Sequence, residues 1–172
     1  MTSSPRRYPP PAPIKPGLAW MGRRLARIVA FGLGSGLLRP APGTWGTLLA
    51  WVLWVVGLAH VGSLGLAVFL TLALVYGAWA CGKVGQELGQ ADHGGMVWDE
   101  MVAFWLLLWV VPPDLFAQAL AFVLFRVFDI TKPRPIAQLD RRFKNGFGVM
   151  LDDLLAALYA AVVFWVIAWV AA

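Results

Sequence analysis

The chain has 172 residues, 60% hydrophobic and only 13% charged, so it has too few polar side chains to cover a soluble globular surface. Its net charge of +5 is a weak indication of nucleic-acid binding, because membrane topology and attraction to anionic lipid headgroups explain such an excess equally well. The single cysteine, Cys81, excludes a disulfide framework and a thiolate metal site. We therefore expect one all-α polytopic membrane bundle with no nucleic-acid partner.

The chain divides into a polar arm and an apolar remainder. Residues 1–17 are rich in Pro, Ser and Arg, which predicts a disordered arm, and residues 18–172 predict a single integral-membrane helical domain. Arg6 and Arg7 are not followed by an apolar run within reach, so we expect no cleaved signal peptide. Five apolar segments come after the arm, at residues 45–60, 64–82, 98–111, 115–128 and 154–170.

The basic residues indicate how these segments are oriented. All 14 Lys and Arg residues lie before the first segment, between the second and third segments, or between the end of the fourth segment and the fifth. The two connections on the opposite side contain none. This bias is the positive-inside pattern of a multi-span membrane protein whose N-terminus is cytoplasmic.

The segment lengths leave two arrangements open. A straight helix needs about 20 residues to cross the hydrocarbon layer, so segments 98–111 and 115–128 are short. They form either two short spans or a re-entrant hairpin, and both arrangements leave their flanks on the cytoplasmic side. Four tryptophans near segment ends fit interfacial aromatic belts, with lipid-facing positions or core packing as the alternative: Trp54, Trp109 and Trp169 at the outer ends and Trp98 at the inner end.

Acidic residues converge at the inner end of the third and fourth segments. The Pro-Pro pair at 112–113 predicts a tight turn; Asp99 lies 13 residues before this pair and Arg126 lies 13 residues after it. Both arms descend roughly 20 Å from the turn, at about 1.5 Å per residue. Asp99 and Glu100 are therefore expected level with Arg126 and Asp129, which share one helical face through their i, i+3 spacing.

Asp152 and Asp153 begin the last segment at the same depth, so carboxylates from three parts of the sequence meet. Carboxylates near a low-dielectric layer repel one another and are costly to desolvate unless a cation neutralises them. Oxygen ligands with one nearby histidine, His93, favour Mg²⁺ over zinc. Lys132 and Arg134 then suit an anionic group on the metal, most naturally phosphate. Two simpler interpretations stay open: a helix cap at Asp152 and Asp153, and a private ion pair between Arg126 and Asp129.

A glycine-rich stretch at residues 31–47 precedes the first segment on the acidic side of the membrane. Backbone N–H groups freed by glycine and the N-terminal end of a helix form a natural anion cradle. The stretch follows no predicted strand and lacks the Gly-Lys-Ser/Thr ending of a nucleotide P-loop, so dinucleotide and ATP binding are set aside. An irregular Gly/Pro-rich connector is the alternative interpretation.

These residues resemble the bacterial phosphatidylglycerophosphatase A family. The resemblance covers the chain from about residue 31 to residue 156 and depends on order and spacing as well as composition. Thr47 stands where the family is expected to have serine, and 145–148 reads Asn-Gly-Phe-Gly where the family often has paired glycines, but neither change removes a carboxylate. Four blocks carry the resemblance: residues 34–36 with 40–47, 92–100, 125–136 and 145–153.

The resemblance implies a Mg²⁺-dependent lipid phosphatase of the bacterial inner membrane. Its substrate would be phosphatidylglycerophosphate, converted to phosphatidylglycerol and inorganic phosphate at the cytoplasmic face. On this hypothesis Lys132 also serves catalysis, and His93 orients water or acts as a general acid, with a hydrogen-bonded loop histidine as the alternative. The predicted metal ligands are Asp99, Glu100, Asp129, Asp152 and Asp153. The predicted phosphate-binding groups are Arg126, Lys132, Arg134, Thr44 and the backbone of Gly34 and Gly36.

Two alternatives belong to other functional classes. One is a small ion- or proton-coupled transporter, and the other is a noncatalytic lipid-binding membrane protein. All but one of the nine acidic residues lie at a single face, whereas a transport pathway needs polar groups distributed through the membrane depth. The sequence leaves oligomeric state, metal number and selectivity against phosphatidic acid open.

Overall fold

The computed structural model describes residues 14–134 and 146–171. Every regular element in these ranges is helical, which confirms the predicted all-α class. Of the predicted arm, residues 1–13 lie outside the described ranges, and residues 14–17 have no regular structure. The α-helices are α1 (Leu18–Met21), α2 (Leu25–Ala30), α3 (Pro42–Val56), α4 (Ser63–Leu88), α5 (Trp98–Val110), α6 (Leu115–Thr131) and α7 (Gly146–Ala171), with 3-10 turns at Gly32–Leu37 and Leu58–His60.

Three of the described segments are long and apolar enough to cross a membrane. They are Pro42–His60 with 19 residues, and Ser63–Leu88 and Gly146–Ala171 with 26 residues each. All five predicted apolar segments are helical, but α5 has 13 residues and α6 has 17. The membrane class follows from the three long helices, and five complete crossings stay a prediction.

Helix α5 is short because it forms the centre of the bundle. Nine of its 13 residues are buried, on every side of the helix, and α3, α4, α6 and α7 all pack against it. An apolar run of 10 to 14 residues is typical of a buried core helix. The hydrophobicity of α5 therefore serves helix packing inside the protein.

Tryptophan N–H groups satisfy carbonyl and amide oxygens across the helix interfaces. Such bonds keep polar groups paired where no water is present. Trp54 and Trp98 are 5% and 9% exposed and therefore interior, so their predicted place in aromatic belts is wrong, whereas Trp109 and Trp169 are exposed. The bonds run from Trp98 to Ala73 O at 3.0 Å, from Trp105 to Ala50 O at 2.8 Å and from Trp51 to Gln118 Oε1 at 2.7 Å.

Specific residues set the helix ends near the functional region. Asp114 Oδ1 accepts a hydrogen bond from Ala117 N at 2.9 Å and caps α6 after the proline turn. Helix α7 begins at Gly146, eight residues before its predicted apolar segment. Its Cβ would lie 2.0 Å from Ala78 O, so only glycine allows α7 to approach α4 this closely.

One face of α4 shows what surrounds the bundle. Leu64, Val68, Leu72, Val75 and Trp79 recur every three or four residues and are all exposed. A stripe of large apolar side chains along a 26-residue helix would be unfavourable in water and is what hydrocarbon contact requires.

Candidate active site

The antiparallel hairpin of α5 and α6 brings the predicted acidic and basic residues together. Arg126 Nη1 lies 2.9 Å from Glu100 Oε2 on α5 and 2.7 Å from Asp129 Oδ2 one turn along α6. This contact confirms that residues equidistant from the proline turn are level. It also excludes a private pair between Arg126 and Asp129, because one guanidinium bridges carboxylates from two helices.

The first turns of α3 form another wall of the site. Thr47 is fully buried, and its Oγ1 donates to Gly43 O at 2.9 Å and accepts from Arg126 Nη1 at 3.3 Å. Gly43 packs so closely on the Glu100 carboxylate that a Cβ would lie 2.1 Å from Oε1. Thr44 is half-buried in the same turn, and its predicted contact with phosphate stays a prediction.

Helix α7 supplies two further carboxylates. Asp152 and Asp153 are each 4% exposed, and they lie in the second turn of a helix that begins at Gly146. They are therefore too far along the helix to act as its N-terminal cap, which removes that interpretation. Lys132, which ends α6 with a left-handed backbone (φ 39°), forms an ion pair with Asp152.

Burial and mutual repulsion make these carboxylates costly to ionise. Burial raises the pKa of Asp99 well above its usual value, and repulsion by Glu100, Asp92 and Asp152 raises it further. Burial also raises the pKa of Glu100 to about 8, although the Arg126 guanidinium lowers it. A bound cation would offset this repulsion, so the electrostatics of the site favour a metal or a cationic partner.

His93 lies in the loop before α5. Its Nδ1 accepts a hydrogen bond from Gly95 N at 3.1 Å, and its ring packs 5.7 Å from the ring of Phe31. Burial lowers the pKa of His93, and the nearby Arg39 lowers it further. The imidazole is therefore neutral near pH 7, which suits hydrogen bonding to water better than proton donation.

The glycine-rich stretch packs against this loop. The N–H groups of Gly34 and Gly36 both donate to Phe31 O, at 3.0 and 3.1 Å. A Cβ on Gly36 would lie 1.9 Å from Gly95 O, so glycine here permits a close backbone crossing. Both N–H groups are therefore already bonded to a backbone carbonyl in the structure, and their predicted role in binding phosphate stays a prediction.

Two further predictions concern Arg134 as a phosphate-binding residue and the carboxylates as metal ligands. Arg134 is exposed beyond the end of α6 and joins none of the ion pairs formed within residues 14–134 and 146–171. In the same ranges, no three acidic, histidine or cysteine side chains lie close enough to surround one metal ion. The five predicted metal ligands thus converge on one region without forming a closed cage.

Sequence reasoning did not assign roles to Gly43 and Thr47. Their i, i+4 spacing places them on one face of α3, together with Gly46 and Ala50, and this face packs against α5. The run of small residues at helical spacing was the available signal. It identifies a close helix contact, but the contact with Glu100 and Arg126 appears only in the tertiary structure.

Membrane-length helices and a buried carboxylate cluster with arginine and lysine at one end define an integral membrane protein with a charged site. Comparison with known proteins then gives the family. Residues 28–168 match the family model described as Phosphatidylglycerophosphatase A. The chain belongs to the phosphatidylglycerophosphatase A family, which makes it a phosphatase and sets aside the transporter and the noncatalytic scaffold.

Individual relatives agree with this assignment. The chain is 44% identical over 141 residues to "Phosphatidylglycerophosphatase A" of Haemophilus influenzae, covering 81% of this chain and 86% of that protein. It is 35% identical to the Escherichia coli K12 protein of the same name, covering 81% of each chain. A Bacteroides thetaiotaomicron protein, "Putative phosphatidylinositol-3-phosphatase", is 38% identical over 151 residues, covering 83% of this chain and 93% of that one. No solved structure gives a significant match.

Proposed function

We propose that the protein hydrolyses the terminal phosphate monoester of phosphatidylglycerophosphate, releasing phosphatidylglycerol and inorganic phosphate, with Mg²⁺ and at the cytoplasmic face of the bacterial inner membrane. The observation that supports this most directly is the Arg126 bridge between Glu100 and Asp129. It supports the proposal because it holds a guanidinium among carboxylates, and the predicted depth of this cluster is the membrane surface, where a lipid phosphate is presented. The family and two relatives carry this substrate in their names.

Arg126 is the proposed phosphate anchor. Its Nη1 is shared among two carboxylates and Thr47, but its buried Nε has no hydrogen-bond partner in the described residues. A buried unsatisfied donor is costly, and a phosphate oxygen drawn into the site would provide the missing acceptor. The guanidinium would then offset the negative charge that develops on the phosphate during hydrolysis.

Asp99 and Asp153 are the residues best suited to hold Mg²⁺. In the described ranges neither contacts a cation, whereas Arg126 and Lys132 neutralise the other three carboxylates. Mg²⁺ is commonly held by one or two carboxylates, several waters and the substrate phosphate, which agrees with the described residues, among which no closed cage of ligands forms. When bound there, Mg²⁺ supplies charge neutralisation and lowers the pKa of a coordinated water. Glu100, Asp129 and Asp152 would join as ligands or support the first two.

Lys132 and His93 complete the proposed site. Lys132 already lies at the cluster through its ion pair with Asp152, so its ammonium group is available to a phosphate oxygen that competes with that carboxylate. His93 is neutral and accepts the Gly95 N–H through Nδ1, so its proton is on Nε2, which would donate a hydrogen bond to a water or a phosphate oxygen. The position of Arg134 at the surface suits an outer contact with the anionic headgroup.

The experiment that tests this function is phosphate release by the purified full chain. We would measure it on phosphatidylglycerophosphate with Mg²⁺, with a chelator, and with Mg²⁺ restored. Asp129→Asn should lose at least about 100-fold in kcat, and Asp114→Asn is the matched control, since asparagine caps a helix as well as aspartate does. Phosphate release that does not depend on Mg²⁺, or native turnover by the Asp129→Asn variant, would contradict the proposal.

Substrate choice needs its own comparison, because one relative is named for a phosphoinositide. Phosphatidylglycerophosphate, phosphatidic acid and phosphatidylinositol-3-phosphate share a lipid-linked phosphate monoester and differ in the group that carries it. We expect the highest kcat/KM on phosphatidylglycerophosphate. A higher kcat/KM on the phosphoinositide would leave the phosphatase activity established and show that its preferred substrate is the phosphoinositide.

The proposed topology is testable at the hairpin turn. Five full spans, and three spans with a re-entrant hairpin, both put the C-terminal end of α7 on the non-cytoplasmic side, so a reporter there cannot separate them. An Asp114→Cys variant can, because the native Cys81 is fully buried. Labelling of intact cells by a membrane-impermeant maleimide indicates a full crossing, and protection indicates a re-entrant hairpin.

A further inference from the structure

An apolar groove of about 450 Å³ lies between the N-terminal segment and α3. It differs from the buried site described above, because its apolar walls are exposed and come from the N-terminal segment, the 3-10 turn and α3. The N-terminal segment and the 3-10 turn form the upper part, and the outward face of α3 forms the lower part. Its large apolar lining residues that are exposed are Leu18, Leu33, Leu38, Trp45, Leu48 and Val52.

The lower part of the groove, which α3 lines, is short enough to fit within one lipid leaflet. Trp45, Leu48 and Val52 are on the side of α3 opposite the buried Gly43 and Thr47. Val52 is seven residues beyond Trp45, which corresponds to about 10 Å along the helix axis. Half of a hydrocarbon core of about 30 Å is deeper than that, so the groove stays within the leaflet next to the site.

The upper end of the groove leads to the site. Trp45 Nε1 donates to Pro40 O at 2.9 Å, so this ring closes the groove directly at the N-terminal turn of α3. Gly43, two residues earlier, touches the Glu100 carboxylate. Gly43 faces away from the groove, so the link to the site is the 3-10 turn: Gly34 lines the groove, and Gly36 crosses Gly95 O in the loop before α5. A molecule whose acyl chain occupies the groove therefore has its polar end where this turn meets that loop.

The charge around the upper end suits an anionic lipid. Lys15, Arg23 and Arg39 are all exposed, and each lies within five residues of Leu18 or Leu38 in the sequence. Basic side chains beside inserted apolar side chains are the pattern of a segment lying in an anionic membrane interface. The same arrangement attracts a phospholipid that carries two phosphate groups.

We propose that this groove holds one acyl chain of the phospholipid substrate and so sets the position of its phosphate monoester at the carboxylate cluster. This inference rests on the proposed function, since it concerns the same substrate. The acyl chain gains little hydrophobic free energy when it moves from the bilayer into the groove, because both are hydrocarbon environments. The groove therefore acts by orientation, holding the lipid in a single register relative to the site.

A bulky residue at the lower end tests this placement without touching the site. Val52→Trp fills the groove at a position that is 51% exposed, and Leu72→Trp makes the same addition on the lipid face of α4, where the residue is 64% exposed. The full chain in detergent would be assayed on dioleoyl and dihexanoyl phosphatidylglycerophosphate. We expect Val52→Trp to raise KM about fivefold or more for the dioleoyl lipid, a change of about 1 kcal/mol, and to leave kcat and the dihexanoyl KM unchanged.

Other results would overturn the inference. Native KM of Val52→Trp on the dioleoyl lipid would mean that bulk lipid alone covers the groove. An equal loss on both substrates, or a change in oligomeric mass, would make the groove a packing surface or a contact with a second copy. An identical effect of Leu72→Trp would show that the response has nothing to do with this groove.

Photolabelling separates this inference from the proposed function. The probe is phosphatidylglycerophosphate with a diazirine midway along one acyl chain, and labelled peptides are mapped by mass spectrometry. Labelling in α3 that unlabelled phosphatidylglycerophosphate displaces, and phosphatidylcholine does not, supports the groove even if no phosphate is released. Phosphate release with labelling confined to other helices keeps the function and refutes the groove.

Discussion

Replacing Gly43 with alanine should disable the site while leaving the fold intact. The added Cβ would lie 2.1 Å from Glu100 Oε1 and 2.4 Å from Oε2, whereas ordinary van der Waals contact begins at 3.4 Å. The carboxylate must therefore move by about 1 Å. Because it now lies 2.9 Å from Arg126 Nη1, that displacement lengthens the ion pair beyond hydrogen-bonding distance.

The size of the effect of Gly43→Ala on stability and on kcat depends on which atoms the new Cβ contacts. The clash is with the end of a side chain, so the backbone is not forced apart, and alanine is favoured over glycine within a helix by up to about 1 kcal/mol. Losing a charged hydrogen bond costs about 1.5–3 kcal/mol, so the net destabilisation is about 0.5–2 kcal/mol, which lowers the unfolding temperature without preventing folding. A displacement of about 1 Å in a catalytic group can lower the rate about 100-fold. We expect a loss of that order in kcat for Gly43→Ala.

The assay compares kcat with thermal unfolding in the same detergent. Gly62→Ala is the matched control, because its Cβ would meet no atom within 4 Å. Adding Glu100→Asp to Gly43→Ala shortens the crowded side chain and should recover part of the lost activity, a coupling that a double-mutant cycle measures. A folded Gly43→Ala protein with native kcat would refute the reasoning that Glu100 must hold its position.

Three further changes have definite expected outcomes. Arg126→Lys keeps the charge but loses the planar fork, and should lower kcat about tenfold or more, with a lower unfolding temperature because bonds of the guanidinium to its carboxylates are lost. Gly36→Ala places a Cβ 1.9 Å from a backbone carbonyl and should prevent purification of folded protein, whereas Gly94→Ala, with nothing within 4 Å, should behave as wild type. Trp105→Phe removes the 2.8 Å bond to Ala50 O and should cost about 1 kcal/mol in thermal or denaturant unfolding, with kcat retained.

The sequence determined the membrane class, the five helices and the level at which the charged residues lie. Apolar runs give helices in a bilayer because every backbone group must be paired within its own segment. Counting residues from the proline turn and multiplying by the fixed rise of a helix then places Glu100 opposite Arg126, a calculation that needs only local geometry. The contact at 2.9 Å confirms that calculation.

Long-range packing decided what the sequence could not. The buried position of α5 depends on which helices surround it, and hydropathy alone does not distinguish a buried helix from a lipid-facing one. The partners of Thr47 and the sharing of Arg126 between two carboxylates follow from helix approach distances, which the small residues Gly43 and Gly46 permit without specifying a partner. Local geometry fixed the depth of each charged residue along its helix, and only the packing of one helix on another fixed which of them touch.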